Sequence, residues 1–302
     1  MFIKKYMQFE YLPCNICNST KNTPIGKRKS AGVGLETNIV QCSSCGLIYP
    51  NPTPLLMDIE IQDYFNKPDE YFSTSTSRRF KLFEDALRQI ECVKPEKGRI
   101  LDVGCGRGEF LHVAAERGWE AVGTDISKSF VGYARQNFNA NAFVGDLEKI
   151  DLPPEYFDAV SLISVIQYIQ NPMKTLKKIN SLLNKKGVLY IETTNEDALL
   201  FRAGDLFQSL KEGEKTTTHL SPLFPSFQMY GFNKQAISRA LEKTGFQICD
   251  MRIKGICGGG RVKGDGYGNV FINLMRKGII AIGGLMGRGH LLYCMAKKKE
   301  AA

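Results

Sequence analysis

The chain of 302 residues carries 43% hydrophobic and 24% charged residues with a formal net charge of +9, a composition typical of a soluble globular protein with one or two domains. No stretch reaches the roughly 18 consecutive apolar residues of a membrane span, and residues 1–11 lack the apolar core of a signal peptide, so we expect a cytoplasmic protein. The positive charge favours an anionic small-molecule partner, whereas the lack of a basic stripe interleaved with aromatic residues argues against nucleic acid.

Four of the nine cysteines form two C-x-x-C pairs near the start of the chain, Cys14 with Cys17 and Cys42 with Cys45. Four thiolates at such spacing suit tetrahedral Zn²⁺ or iron, and unmetallated buried cysteines are the alternative. Because four thiolates leave no open coordination position for a substrate, we expect a structural zinc ion. Gly46 directly follows the second pair and is placed to form a turn. The sequence thus predicts a small, zinc-ribbon-like module, here called the cysteine module, over residues 1–54.

Residues 55–96 show apolar side chains at helical spacing, at Phe80, Phe83, Leu87 and Ile90. This spacing predicts helices that connect the cysteine module to the rest of the chain. Some of these helices are expected to cover a ligand site.

From residue 97 the sequence alternates between short apolar strands and amphipathic helices. The predicted strands are residues 99–104, 120–125, 141–145, 157–164, 188–194 and 289–298, and the predicted helices are residues 109–118, 128–138 and 172–187. This alternation is typical of an α/β fold and predicts a doubly wound, mostly parallel sheet over residues 97–302. The interval 195–230 is long for a connection, so we expect an insertion that covers the substrate. The glycine-rich residues 255–269 are interpreted as a mobile loop over the site or as a plain linker.

Three glycines, Gly104, Gly106 and Gly108, follow the first strand of this domain in the segment "LDVGCGRGEF". Ligands bind at the carboxyl ends of parallel strands, and glycine lets backbone N–H groups approach a ligand closely. The spacing differs from the G-x-G-x-x-G of dinucleotide sites. Asp102 and Glu109 flank the glycines, and their negative charge favours a ligand with a cationic end over a diphosphate.

Two further carboxylates stand at the ends of the next two strands. Asp125 in "VGTDIS" is placed to accept hydrogen bonds from both ribose hydroxyls of an adenosine. Asp146 in "VGDLEK" is placed to accept one from an adenine amino group, with Leu147 beside the base. A nucleoside that bears an amino acid and a sulfonium centre meets these demands, and S-adenosylmethionine is such a ligand.

The segments "ILDVGCGRGEF", "VGTDIS", "GDLEKI" and "ALEKTGFQI" occur in the order found in class I S-adenosylmethionine-dependent methyltransferases, which the chain resembles over about residues 97–250. The cysteine module resembles that of a subset in which many members methylate nucleotide-linked sugars or other small metabolites. The resemblance implies a Rossmann-like sheet of seven strands. It implies that the methionine end of the cofactor is lined by Asp102, Gly104, Cys105, Gly106 and Gly108. It further implies ribose contacts from Asp125 with Ile126, adenine contacts from Asp146 and Leu147, and a place for Ser164 near the sulfonium.

The chain departs from this family where a general base is often found. The family commonly has a histidine at the position of Ser164 and a Glu-His pair where this chain has Gln167 and Tyr168. In members with the cysteine module, a segment similar to residues 218–232 carries Glu-His, and here Thr218 precedes His219. His219 is therefore a candidate catalytic base, and the alternative is that it anchors a lid by a hydrogen bond.

These observations lead to one predicted function and two alternatives. The predicted function is methyl transfer from S-adenosylmethionine to an oxygen or carbon of a small metabolite, such as a nucleotide-linked sugar or a polysaccharide or natural-product precursor. One alternative is a nucleic-acid or protein methyltransferase that grips its substrate with the cysteine module. The other is a non-catalytic partner protein that binds the cofactor. The oligomeric state is left open.

Overall fold

Five short strands build the cysteine module in the computed structural model, which describes residues 8–28, 37–55, 76–220, 228–255 and 270–299. These strands are β1 (Gln8–Glu10), β2 (Asn22–Arg28), β3 (Thr37–Cys42), β4 (Ile48–Pro50) and β5 (Thr53–Leu55). β2, β3 and β4 form an antiparallel sheet, and β1 pairs with β5. Gly46 has a φ of +76° and donates its N–H to the carbonyl of Cys42 at 3.0 Å. The turn predicted at this glycine is confirmed.

Helices and strands alternate along the rest of the described chain. In chain order they are α1 (Thr76–Val93), β6 (Arg99–Val103), α2 (Glu109–Glu116), β7 (Glu120–Asp125), α3 (Lys128–Phe138), β8 (Asn141–Val144), β9 (Phe157–Ile163), α4 (Pro172–Leu182), β10 (Leu183–Thr194), α5 (Leu199–Glu212), α6 (Lys234–Lys243), β11 (Phe246–Lys254), α7 (Val270–Leu285) and β12 (Leu291–Lys298). Residues 221–227 of the predicted insertion and residues 256–269 of the glycine-rich segment lie outside the described residues.

The last seven strands form one sheet in the order β11-β12-β10-β9-β6-β7-β8. β6 to β10 run parallel to one another, and β12 runs antiparallel to both β10 and β11. This topology confirms the predicted Rossmann-like, mostly parallel sheet of seven strands. The domain boundaries at residues 54 and 96 stay predictions.

Apolar side chains cover both faces of this sheet. On one face Leu87 and Ile90 of α1 pack with Phe110 of α2. On the other face α4 and α6 pack together with Leu47 and Tyr49 of the cysteine module. Because both faces are buried, the central strands read as continuous apolar runs, which is why the sequence predicts them well.

Side-chain caps fix where three of the helices begin. The hydroxyl of Ser127 accepts a hydrogen bond from the N–H of Phe130 at 3.3 Å. The Oδ1 atoms of Asn171 and Asn233 accept from the residues three positions on, at 3.1 and 2.8 Å. Such caps satisfy N–H groups that the first helical turn leaves without partners. β7, the parallel strand that precedes α3, therefore ends in a short, defined turn at the edge of the sheet.

One predicted boundary is wrong. Residues 172–187 were expected to form a single helix ending at Gly187, but α4 ends at Leu182. Leu183 is extended and pairs with Phe157 of β9, and a register shift separates it from Val188. Gly187 therefore lies in an irregular segment of β10, where the helical periodicity of the sequence continues past the end of the helix.

The cysteine module is joined to the large domain by backbone pairing. Ile48 and Gly231 exchange N–H to carbonyl hydrogen bonds at 3.0 and 2.7 Å. Lys27 donates to the carbonyl of Lys215 and accepts from Thr217, both at 3.0 Å. Hydrogen bonds from the cysteine module thus hold the chain on both sides of residues 218–230.

Among the described residues, none of the helices is both long enough and apolar enough to cross a bilayer.

Candidate active site

The loop of residues 104–108, called the cofactor loop, connects β6 to α2 and needs glycine for steric reasons. Gly104 and Gly108 have φ values of +75° and +83°. A Cβ atom at Gly104 would lie 2.4 Å from Cγ2 of Val165, and one at Gly108 would lie 2.7 Å from Cβ of Ala134. The loop is therefore pressed against neighbouring elements in a backbone conformation that other residues adopt only with strain.

Asp102 lies in β6 directly before the cofactor loop, and its side chain is buried. Its Oδ1 atom accepts a hydrogen bond from the hydroxyl of Ser161 in β9 at 2.6 Å. Burial raises the pKa of Asp102 to about 7, although the bond from Ser161 lowers it, and the charge of Asp125 adds to the rise. This carboxyl group can therefore act as an acceptor or as a donor near neutral pH.

The carboxylate of Glu109 is occupied by the protein's own cations. Nε and Nη2 of Arg107 donate to its Oε1 at 3.0 and 2.6 Å, and Nη2 of Arg79 in α1 donates to its Oε2 at 3.2 Å. From its position in the sequence, Glu109 was expected to supply a negative charge that favours a cationic ligand. The structure corrects this expectation, because two guanidinium groups neutralise this carboxylate.

Asp125 lies at the carboxyl end of β7, and its carboxylate is hydrogen-bonded to the backbone of the cofactor loop. Its Oδ2 accepts from the N–H of Gly106 at 2.9 Å, and its Oδ1 accepts from the N–H of Ser127 at 2.8 Å. Burial raises the pKa of Asp125, and these two hydrogen bonds oppose that rise. Each oxygen keeps a further lone pair, which is what two ribose hydroxyls require. Ile126 beside it exposes 42% of its surface and offers an apolar flank.

The structure places the other predicted cofactor residues along the same edge of the sheet, in unequal environments. Asp146 is exposed, and its Oδ1 accepts from the N–H of Glu148 at 3.1 Å. Leu147 is buried in the core. Cys105 is also buried, and burial raises the pKa of its thiol. Ser164 follows β9, is exposed and has a φ of +56°.

Glu192, at the carboxyl end of β10, was missed by the sequence reasoning. Its Oε1 accepts a hydrogen bond from the hydroxyl of Ser164 at 3.4 Å. Burial raises the pKa of Glu192 to about 7, against the effects of the Ser164 bond and the charge of Lys254. An acid inside the apolar strand "VLYIETT" was the available signal. A carboxyl group with this pKa, next to Ser164, can exchange protons at neutral pH.

His219 lies between two carboxylates, in what we call the His219 cluster (Glu196, Phe201, Asp205 and His219). Its Nδ1 is 2.6 Å from Oε2 of Glu196, and its Nε2 is 3.6 Å from Oδ2 of Asp205. The imidazole is buried and stacks on Phe201 with ring centroids 5.1 Å apart. Burial lowers the pKa of His219, but the hydrogen bond and charge of Glu196, with the charges of Asp205 and Asp197, raise it overall.

The acids of this cluster come from other elements than the segment that carries the histidine. Thr218 stands where the sequence comparison expected an acid, and it donates both its N–H and its hydroxyl to Oδ1 of Asp205, at 2.6 and 2.8 Å. Glu196 follows β10, and its neighbour Asn195 is fixed by a side-chain bond to the carbonyl of Gly289 at 2.7 Å. The contact between Glu196 and His219 could not be read from local spacing.

Gln167 and Tyr168 occupy the place of the family's Glu-His pair, in a short 3-10 turn (Ile166–Tyr168). Oε1 of Gln167 accepts from the hydroxyl of Thr193 at 2.9 Å. The carbonyl of Gln167 accepts from the N–H groups of Met229 and Tyr230 at 2.8 and 3.1 Å. This turn therefore ties the sheet to the segment that follows the His219 cluster. The remaining histidines are in framework positions: His112 stacks on Phe138, and His290 precedes β12.

The geometry of the four paired cysteines fits one tetrahedral metal ion. Their sulfur atoms all lie within 4.8 Å of one another. Two of the separations are 3.3 Å between Cys14 and Cys45 and 3.5 Å between Cys17 and Cys42. Four sulfurs at about 2.3 Å from a zinc ion would be about 3.8 Å apart, so small adjustments suffice. The cluster is consistent with the predicted structural zinc.

Comparison with known proteins identifies the large domain. The family model described as "Methyltransferase domain" matches residues 75–250, which is more than half of the chain. A ubiquinone biosynthesis O-methyltransferase of Coxiella burnetii is 28% identical over 117 residues, covering 37% of this chain and 50% of the relative. The tRNA 5-carboxymethoxyuridine methyltransferase of Escherichia coli is 28% identical over 186 residues, covering 57% of this chain and 71% of the relative.

Solved structures show the same fold at lower identity. Magnesium protoporphyrin IX methyltransferase from Synechocystis PCC 6803, with bound SAH, superposes with a TM-score of 0.54 at 15% identity, covering 80% of this chain and all of that chain (100%). The chain spans about half the length of several curated relatives that it matches.

Proposed function

Because the chain belongs to the class I S-adenosylmethionine-dependent methyltransferases, we propose that it transfers the methyl group of S-adenosylmethionine to an oxygen or carbon nucleophile of a small metabolite. The proposed acceptor is anionic, such as a nucleotide-linked sugar or a polysaccharide or natural-product precursor. The net charge of +9 supports an anionic acceptor.

The observation that best supports the proposal is the candidate ribose-binding site formed by the cofactor loop and Asp125. The N–H of Gly106 fixes one carboxylate oxygen of Asp125, and the N–H of Ser127 fixes the other. The free lone pairs then meet two ribose hydroxyls without reorientation. Asp146 and the exposed Ile126 flank the same edge of the sheet, where we place the adenine. The methionine end is placed along the cofactor loop, beside Asp102 and Cys105.

When bound, the cofactor supplies an electrophilic methyl group on a sulfonium. The chain's part is to orient the acceptor and to remove a proton from it. We assign proton removal to His219. The bond to Glu196 holds the proton of the neutral imidazole on Nδ1, so that Nε2 is the accepting atom. Because the surrounding carboxylates raise the pKa of His219 overall, the neutral base becomes abundant only above the usual range of a histidine. Glu192 beside Ser164 is the second group whose pKa suits this step.

The zinc ion is assigned a structural role in the same proposal. Cys14, Cys17, Cys42 and Cys45 would hold it, and it would stiffen the cysteine module. The module supports residues 218–230 through the hydrogen bonds of Lys27 and Ile48. Arg28 strengthens this support, because its buried Nη1 donates to the carbonyls of Leu220 and Gln228 at 3.0 and 3.2 Å.

A second candidate acceptor is an RNA nucleoside. The relative from Escherichia coli that is named for a tRNA modification matches a longer stretch of this chain than the ubiquinone relative does, 186 against 117 residues. The acceptor would then be an acidic group on a macromolecule, and the positive charge of the chain would serve to bind phosphates.

The test is incubation of the purified protein with cofactor labelled in the methyl group. The acceptor panel contains nucleotide-linked sugars, tRNA and protein, and products are identified by mass. We expect label in a small, anionic product. His219→Ala should lose turnover by ~10²–10⁴-fold and keep the cofactor affinity of the wild type. His112→Ala is the matched control, since His112 lies on the framework face of α2, and its rate should stay within a few fold. Label found only in tRNA would replace the first proposal by the second.

A further inference from the structure

Two neighbouring helices expose apolar side chains that the fold does not use. On α5 the side chains of Leu206, Phe207 and Leu210 are 63–77% exposed. On α7 those of Met275, Ile282 and Leu285, with that of Met286 directly after the helix, are 53–91% exposed. The two helices pack against each other, and a Cβ atom at Gly283 of α7 would lie 3.3 Å from Cβ of Leu199 in α5. Clusters of exposed apolar side chains on this scale mark interaction surfaces.

The exposed side chains form one arc on each helix. At about 100° per residue, Leu206, Phe207 and Leu210 fall within roughly a quarter of the circumference of α5. The three exposed side chains of α7 likewise share one side of that helix, and Ile280 and Gly283 are buried on the other. In an ordinary surface helix the apolar side chains face the core. In these two helices some of the apolar side chains point to solvent instead.

Basic residues flank both arcs. On α5 the exposed Arg202 and Lys211 lie on either side of the arc, and on α7 the exposed Arg276 and Lys277 do the same. The sequence of α7 contains no acidic residue. Asp205 of α5 points away from the arc, since its carboxylate is bonded to Thr217 and Thr218. Among the described side chains of the two helices, the charged ones that border the arcs are therefore basic.

From this arrangement we propose that the α5–α7 face docks on an anionic membrane surface. An apolar arc bordered by Lys and Arg is the arrangement with which amphipathic helices lie in the interface of an anionic bilayer. A second copy of the chain is a poorer occupant, because a two-fold contact would place the same cations opposite each other. The Phe201 and Asp205 side chains that contact His219 lie on the inner side of α5. Docking would thus hold the His219 cluster next to the membrane.

Vesicle co-sedimentation of the full chain tests this, with no cofactor and no acceptor present, so the result does not depend on the proposed reaction. We expect binding to phosphatidylcholine vesicles that contain phosphatidylglycerol, weaker binding as salt is raised, and no binding to phosphatidylcholine alone. The double variant Arg276→Glu/Lys277→Glu should bind at least ~10-fold more weakly. Its matched control, Lys185→Glu/Lys186→Glu, changes the net charge equally on exposed residues of β10 and should bind like the wild type.

A second pair of variants tests the apolar part. Leu285→Asp should lose vesicle binding, and Tyr11→Asp, at another highly exposed apolar position on the cysteine module, should keep it. Thermal unfolding of each variant checks that the fold is intact. Lack of binding to anionic vesicles by the wild type would overturn the proposal. So would a wild-type dimer in sedimentation velocity that Leu285→Asp dissociates while vesicle binding stays absent, because the face would then be a contact between copies.

Discussion

Replacing Gly104 by alanine tests whether the cofactor loop is held by steric contact. The residue has a φ of +75°, and placing an L-residue there costs about 1–2 kcal/mol. The new Cβ atom would lie 2.4 Å from Cγ2 and 3.0 Å from Cβ of Val165, whereas carbon atoms in contact are normally about 3.5–4.0 Å apart. Overpacking of this kind costs about 1–3 kcal/mol. The sum predicts that Gly104→Ala lowers the free energy of unfolding by about 2–5 kcal/mol.

Urea unfolding measures this loss, and a second substitution separates its two parts. Val165→Ala in the Gly104→Ala background removes Cγ2 and with it the 2.4 Å contact, so it should recover part of the overpacking. It leaves the backbone strain of about 1–2 kcal/mol. The double-mutant cycle should therefore show favourable coupling between the two sites. Gly132→Ala is the control, because Gly132 lies inside α3 with open space around its Cβ position. That variant should gain about 0.5–1 kcal/mol. A Gly104→Ala protein as stable as the wild type, or no coupling with Val165, would refute the steric reasoning.

Three further predictions concern the cofactor, the base and the metal. Asp125→Asn should weaken cofactor binding by about 1.5–3 kcal/mol in calorimetry, since a neutral amide replaces a charged acceptor; unchanged affinity would remove the ribose assignment. For the wild type, kcat/KM should rise with pH as His219 loses its proton, at a pKa above the usual histidine value. Glu196→Gln removes the charge that raises this pKa, so the rise should move to lower pH, and an unmoved profile would exclude His219 as the titrating base. Freshly purified protein should contain about one zinc per chain in metal analysis, and Cys14→Ser should release it; metal-free wild type would contradict the zinc assignment.

The fold could be predicted from the sequence because its signals are local. The strand at 120–125 and the helix at 128–138 have the observed bounds. Their apolar period, the cap at Ser127 and the flanking glycines all lie within a few positions of each element. The end of α4 could not be predicted in this way, since the pairing of Leu183 with Phe157 joins residues that are distant in sequence.

The sequence identified candidate site residues only where they belong to short, continuous motifs. The glycines of the cofactor loop and Asp125 belong to short motifs that local spacing identifies. The contact of Glu196 with His219 joins residues 23 positions apart, and that of Arg28 with Leu220 joins residues 192 apart. The interactions of Glu109 also could not be predicted from local sequence. Its sequence position suggested a free negative charge, but α1, from a separate part of the chain, supplies the Arg79 that helps to neutralise it.

The strand order has a consequence for how the protein folds during its synthesis. β12 is made after all the other described strands, yet it lies between β10 and β11 in the sheet. Until it emerges from the ribosome, the open side of β10 is an unpaired parallel edge and β11 has no partner in the sheet. Such edges can pair with other chains, and a domain folds as a unit, so the sheet stays incomplete until its last strand is available. We therefore expect the nascent chain to remain in a partly folded, aggregation-prone state that chaperones recognise. Slowing translation just before residue 291 should prolong that state and increase aggregation.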